Sequence, residues 1–351
     1  MRVTPQHIMS YVTRFCQGLR ITQATNFTAL CYALWLVRTC ILSRLANVIS
    51  GPQRHAHRLK RLWRLVNNPS FPAHAVMDAI CMHNFKAALA AGARRVVILD
   101  FTHLKDPYIA LVAAVAFQGR AVPLLVWITT HHSFERSQNT FVHHMLAHLK
   151  SLIGDFVLVA DRGFGHNWTL RACRILGIDF VLRIRSDVIM QAGTRRGRAG
   201  SFAPRKGYRL YPNALYGAQH RHKVNFVAVA SGDDPWLLIT SLSDMSRARG
   251  LYRQRMQIEE SIRDIKSYLG LDKARVRDVG RLQVLATAVL AVHSFLLWLG
   301  FVAKQSSLAA KLVCSGSEKV SFVFLAISLT QAFPDLLDFL YQHLSRLFKS
   351  G

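Results

Sequence analysis

Through the middle of the chain, short apolar runs alternate with stretches of helical period. Arg95-Val-Val-Ile-Leu-Asp100 and Phe156-Val-Leu-Val-Ala-Asp161 are rich in Val and Ile, and each is closed by an aspartate. Such runs predict buried strands, with the acid at the rim of a sheet. Tyr108–Phe117 and Ala121–Thr129 flank Gln118-Gly119-Arg120, a hairpin signal. Helical periodicity predicts a helix over Glu135–Ile153 and another around Arg171, and Asp179–Ile184 predicts a fifth strand. By the same criteria residues 1–90 are helical with no alternating run, and Asn67-Asn68-Pro69 ends a basic helix there. Residues 91–184 alternate strands and helices. Residues 185–235 are basic and turn-rich, with Lys223–Ala230 strand-like. Residues 236–304 hold a charged helix and then an apolar one. Residues 305–351 are helical again, with Phe333–Phe348 amphipathic.

The charged helix carries the most chemistry. In Leu251–Gly270, Tyr252, Arg255, Glu259 and Lys266 lie at offsets of 3, 7 and 14. On a regular helix these fall within roughly a 60° arc. A carboxylate flanked by cations suits a metal ion beside a phosphate; a solvated, salt-bridged face is the alternative. Asp100, Asp161 and Glu259 together offer three carboxylates, the ligand chemistry for two Mg²⁺ ions that keep positions open for phosphate and water. Glu260 lies about 100° round the helix from Glu259 and ranks below it. Trp236, in Pro235-Trp236-Leu-Leu-Ile-Thr240, is either a core residue or a platform for a base.

Charge narrows the partner. The 351 residues hold 45 Lys and Arg against 19 Asp and Glu, a formal net charge of +26, with a pI near 10.7. This balance implies a polyanion, most simply DNA. Arg58 and Arg61 belong to a basic cluster with Trp63 among it, and Arg195 and Arg196 to a basic stretch with one acid, Asp187, between Arg183 and Lys223. Both clusters are candidate phosphate contacts, as is Arg162, which follows Asp161. An exposed basic helix face and a flexible basic loop are the alternatives. The six cysteines, Cys16, Cys31, Cys40, Cys81, Cys173 and Cys314, form no CxxC pair and read as buried free thiols in a reducing compartment. No secretory leader pattern opens the chain. Val284–Ala303 is apolar enough to span a bilayer by length, but it follows the charged helix directly and reads as a buried core helix. Phe27–Leu42, broken by Arg38, reads the same way.

The Tyr-(2)-Arg-(3)-Glu-(6)-Lys spacing resembles the signature of DDE transposases of the insertion-sequence-four family, matched by Tyr252, Arg255, Glu259 and Lys266. Asp100 and Asp161 stand where that family's two catalytic aspartates would, and Trp236 where its base-stacking tryptophan would. The resemblance covers residues 90 to 305. It implies an α/β architecture: a ribonuclease-H-like catalytic domain interrupted by a β-strand insertion, with helical N-terminal and C-terminal regions. It further implies two Mg²⁺ ions (Mn²⁺ as a substitute) on Asp100, Asp161 and Glu259. Tyr252, Arg255, Lys266 and Trp236 would contact DNA, and Arg162, Arg58, Arg61, Arg195 and Arg196 would supply further DNA contacts. The activity implied is cut-and-paste transposition: end binding, cleavage through hairpins, and strand transfer by a homodimer, in a bacterial cytoplasm at the nucleoid, with no membrane partner. A catalytically inactive DNA-binding derivative, a related nuclease without strand transfer, and a basic membrane-associated protein are the competing readings.

Overall fold

A computed structural model describes residues 6–49, 54–219, 222–232, 234–306, 321–332 and 336–348. Five helices come first: α1 (Gln6–Thr13), α2 (Ile21–Val37), α3 (Leu42–Val48), α4 (His55–Val66) and α5 (Ala73–Ala90). Strands β1 (Val96–His103), β2 (Tyr108–Phe117) and β3 (Arg120–Thr130) follow, then α6 (His131–Ile153), β4 (Val157–Ala160), α7 (Asn167–Ile175) and β5 (Asp179–Arg183). Next come β6 (Ile189–Ala192), β7 (Arg195–Arg198), β8 (Tyr208–Tyr216), β9 (His222–Val229) and β10 (Trp236–Thr240). The chain continues through α8 (Met245–Arg253), α9 (Gln257–Arg263), α10 (Val279–Gln305), α11 (Phe322–Ala332) and α12 (Leu336–Leu347).

Among the described residues, ten strands form one sheet in the order β3-β2-β1-β4-β5-β10-β9-β8-β6-β7. β1, β2 and β3 are antiparallel neighbours, while β4 and β5 run parallel to β1. β2 is buried along its whole length, which is why it reads as an unbroken apolar run and not an alternating one. Gln118 and Gly119 both take positive φ (46° and 77°), the geometry of a tight two-residue hairpin. β10 pairs with β5 on one side and β9 on the other, so β6–β9 extend the same sheet.

Three expectations are corrected. β1 does not stop at Asp100: it runs three residues further because Phe101–His103 still pair with β2 after β4 has ended. α6 starts at His131, four residues early, where the Thr130 hydroxyl caps it by accepting from the Ser133 N–H. The helix expected over Leu251–Gly270 is wound unevenly: a 3₁₀ turn at Gln254–Met256 separates α8 from α9, and a π turn covers Asp264–Tyr268.

α10 is the axis of the helical layer. Helices α1, α2, α4, α5, α11 and α12 and strand β3 all pack on it. It is long and apolar enough to cross a membrane, and its apolar window is entirely buried inside the protein. Three of its polar side chains find partners there: Ser294 and Trp298 both donate to Asn84 Oδ1, and Thr287 donates to Gln283 O, whereas neither ring nitrogen of buried His293 makes a hydrogen bond. Gly300 is forced by this packing, since a Cβ would lie 1.8 Å from the Phe322 carbonyl oxygen. α2 and α3 meet at 95°, broken where Arg38 takes φ +54°. The five described cysteines are free and buried; Cys314 and residues 333–335 of the predicted Phe333–Phe348 helix lie outside the described residues.

Candidate active site

The sheet's register builds the site. The last rung between β1 and β4 is Leu99 with Ala160, and the last between β4 and β5 is Ala160 with Leu182. One residue further along, Asp100, Asp161 and Arg183 stand side by side on three adjacent parallel strands, at a strand spacing of about 4.8 Å. Partners on a rung share a face of the sheet, so two carboxylates and a guanidinium project together.

α9 brings the third acid. Arg255 donates to Asp100 Oδ2 at 3.2 Å and to Glu259 Oε1 at 2.6 Å, bridging β1 to the helix. Arg255 and Asp100 are well buried, with side chains 13% and 17% exposed, whereas Glu259 is 48% exposed and free to turn. Burial pushes the Asp100 carboxyl up to about 6, with repulsion from Asp161 and Glu259 adding to it; Arg255 and the Phe101 N–H pull the other way.

Loop geometry after β4 fixes Asp161. Its carboxylate accepts from the Gly163 N–H at 2.9 Å, and Phe164 stacks on Phe101 with ring centres 4.3 Å apart. Gly165 passes so close to β5 that a Cβ would sit 2.0 Å from the Arg183 carbonyl oxygen. The Tyr216 hydroxyl donates to the Gly165 carbonyl at 2.8 Å.

Tyr252 is buried, packs edge-on against Trp236 at 5.2 Å, and faces the Arg183 guanidinium with its hydroxyl. Burial raises its pKa, opposed by Arg183 and Arg255. Trp236 is half-buried. Lys266 is half-buried too, sits in the π turn, and makes no ion pair with another described residue. Glu260 is engaged elsewhere, with Arg120 at 3.3 Å and with Arg263.

The remaining predicted contacts lie apart from this row. Arg58 donates to the Ile49 carbonyl at 2.9 Å and Arg61 to Asn26, so both guanidinia tie α4 to its neighbours. Arg195 donates to the Ser201 carbonyl at 2.6 Å and covers the Phe202 ring, while Arg196 is exposed. Both sit on edge strand β7, six strand spacings or roughly 29 Å along the sheet from β4. Arg162 is exposed next to Asp161. Sequence reasoning singled out neither Arg183 nor Asp234; the signal for Arg183 was its place at the end of β5, one position past the rung of Ala160.

Among the described residues, no three His, Cys, Asp or Glu side chains stand in metal-ligating geometry. The donor chemistry does fit a hard divalent cation: three carboxylates, one of them buried enough to resist ionising without a cation beside it. The Arg255 guanidinium provides that positive charge here.

A family model described as a transposase DDE domain matches residues 93–295, more than half of the chain. No curated protein matches at a significant level. Among solved structures, a piggyBac transposase synaptic complex with hairpin DNA is similar at a TM-score of 0.46 and 12% identity, over 97% of this chain and 82% of that one.

Proposed function

Because the chain belongs to the transposase DDE domain family, we propose that it cleaves and joins DNA with Asp100, Asp161 and Glu259 as its catalytic carboxylates. The observation that carries the assignment is the shared level of Asp100 and Asp161 on adjacent parallel strands, with Glu259 joined to Asp100 through Arg255. The strand order β3-β2-β1-β4-β5, three antiparallel then two parallel, is that expected of a ribonuclease-H-like core with β6–β9 inserted before the last acid.

In this reading the three acids would hold two Mg²⁺ ions, with Mn²⁺ as a substitute. When bound, the ions supply activation of water or a DNA 3′-hydroxyl and neutralise the leaving oxygen. Asp100 and Asp161 are fixed by strand and turn, while Glu259 swings from Arg255 to join them. Arg255, released from the acids, forks onto a backbone phosphate beside the scissile bond. Tyr252, braced by Trp236 and Arg183, orients a neighbouring phosphate, and Lys266 adds charge about two turns beyond Glu259. Trp236 offers a face to an unstacked terminal base. The substrates proposed are the element's terminal inverted repeats and target DNA. Cleavage proceeds through end hairpins and strand transfer follows, in a homodimer at the bacterial nucleoid with no membrane partner.

The test is cleavage of a labelled duplex carrying the element's terminal repeat, with Mg²⁺ and with EDTA, comparing wild type with Glu259→Gln. Mg²⁺-dependent product from wild type alone is expected. Equal product from Glu259→Gln refutes the assignment, and binding without cleavage by either protein favours an inactive derivative.

A further inference from the structure

Arg183 is about as confined as Arg255, with its side chain 14% exposed. Its partner is Asp234, in the turn between β9 and β10: the guanidinium meets Asp234 Oδ1 at 2.5 Å and the backbone carbonyls of Asp234 and Pro235 at 3.4 and 3.3 Å. The second carboxylate oxygen, Oδ2, lies 3.9 Å from Arg162. Two guanidinia from the ends of β4 and β5 thus converge on the two oxygens of one anion. They border a cavity of about 290 Å³ that Arg185 also lines. The anion is the loose member: Asp234 is 66% exposed, whereas Arg183 is held between Tyr252 and the sheet.

Two convergent guanidinia on one oxyanion are the arrangement that binds a phosphodiester. The position fits, because Arg183 shares a level with Asp161 and faces the Tyr252 hydroxyl. With only 19 acidic residues against 45 basic ones, an acid placed on these two arginines shields a site that would otherwise attract phosphate. We propose that Arg183 and Arg162 form a DNA-phosphate site of their own beside the carboxylates, and that Asp234 occupies it as an internal stand-in which the incoming strand displaces. This rests on the transposase reading above and adds to it a binding site and a competitor built into the chain.

The test is equilibrium binding of the full chain to the labelled terminal-repeat duplex in EDTA, across a salt series. Variants are Asp234→Asn, Arg162→Gln, Arg183→Gln and their combinations, with Asp155→Asn as a control for removing an exposed acid elsewhere. Asp234→Asn is expected to bind about tenfold tighter at low salt, since a competing charge is gone. Arg162→Gln, an exposed change that leaves folding intact, is expected to weaken binding and lower the salt slope by about one. With both arginines replaced, Asp234→Asn is expected to gain nothing. Unchanged or weaker binding by Asp234→Asn overturns the inference, as does an equal gain from Asp155→Asn or a gain that survives without the arginines. If Asp234→Asn tightens inorganic phosphate competition but not duplex binding, a DNA strand is not the ligand. No duplex binding by wild type would sink the transposase reading itself, a separate outcome.

Discussion

Asp100→Asn removes one of the three acids proposed to be catalytic, yet the site's electrostatics predict a more stable protein. Folding raises the Asp100 carboxyl from its ordinary 3.8 to about 6, so the folded state binds that proton more tightly than the unfolded chain does. This share of stability is full below about pH 4 and is lost as pH climbs through 6. At roughly 1.4 kcal/mol per pH unit, ionised Asp100 costs the native state about 3 kcal/mol at pH 8. Asparagine keeps the shape and can still accept from the Phe101 N–H, which spans 2.9 Å in the wild type. Arg255 keeps Glu259 as a partner. With an unfolding entropy near 2.1 cal/mol/K per residue, about 3 kcal/mol corresponds to roughly 4 °C in Tm. The assay is denaturant and thermal unfolding in EDTA at pH 8 and at pH 4, with a second pH 8 series in millimolar Mg²⁺. Asp100→Asn should exceed wild type at pH 8 in EDTA and match it at pH 4. Mg²⁺ should stabilise only the wild type, because the ion binds the carboxylate. A variant no more stable than wild type at pH 8, or one whose advantage persists at pH 4, would refute the reasoning.

Further predictions follow from single contacts. In the proposed mechanism Arg255→Ala should cut cleavage by about 10²–10³ fold, the cost of losing a charge aimed at the reacting phosphate, read by single-turnover kinetics, and should also destabilise the fold at pH 8, where it leaves Asp100 without its cation. Gly300→Ala should destabilise by about 1–3 kcal/mol, because its Cβ would collide with the Phe322 carbonyl, and a denaturation midpoint equal to wild type would contradict that packing. Arg61→Ala should lower the unfolding free energy by about 1 kcal/mol and leave the salt slope of DNA binding unchanged, since its guanidinium holds Asn26; a slope reduced by about one would return it to the DNA interface.

The sequence made the site's ingredients visible more readily than their arrangement. β2, β3, β4 and β5 could be read from apolar runs, and the two aspartates from their places after such runs. Tyr252, Arg255 and Glu259 were visible as a spaced set. What periodicity missed depends on neighbours distant in sequence. β1 outlasts its apolar run because β2 supplies hydrogen bonds past Asp100. The 3₁₀ and π turns leave no mark in a pattern of residue types. Arg58 and Arg61 looked like a free basic patch because their acceptors, Ile49 and Asn26, lie on neighbouring segments. Arg183 was hidden among other arginines until strand pairing set it level with Asp161.

The burial of α10 has a consequence for how the chain is made. Four of the first five helices, α1, α2, α4 and α5, rest apolar surface on a helix that starts at Val279. Synthesised from the N-terminus, the helical region must wait for nearly two hundred further residues before its main partner exists. Contacts of such long sequence separation slow folding and leave apolar surface exposed meanwhile. α10 itself, made after the whole sheet, must find a groove already lined by α2, α5 and β3, and α11 and α12 then add their core residues to it. The ninety residues before the sheet are therefore a lid closed late by its own hinge pin, and cutting the chain ahead of Val279 would leave them without a core.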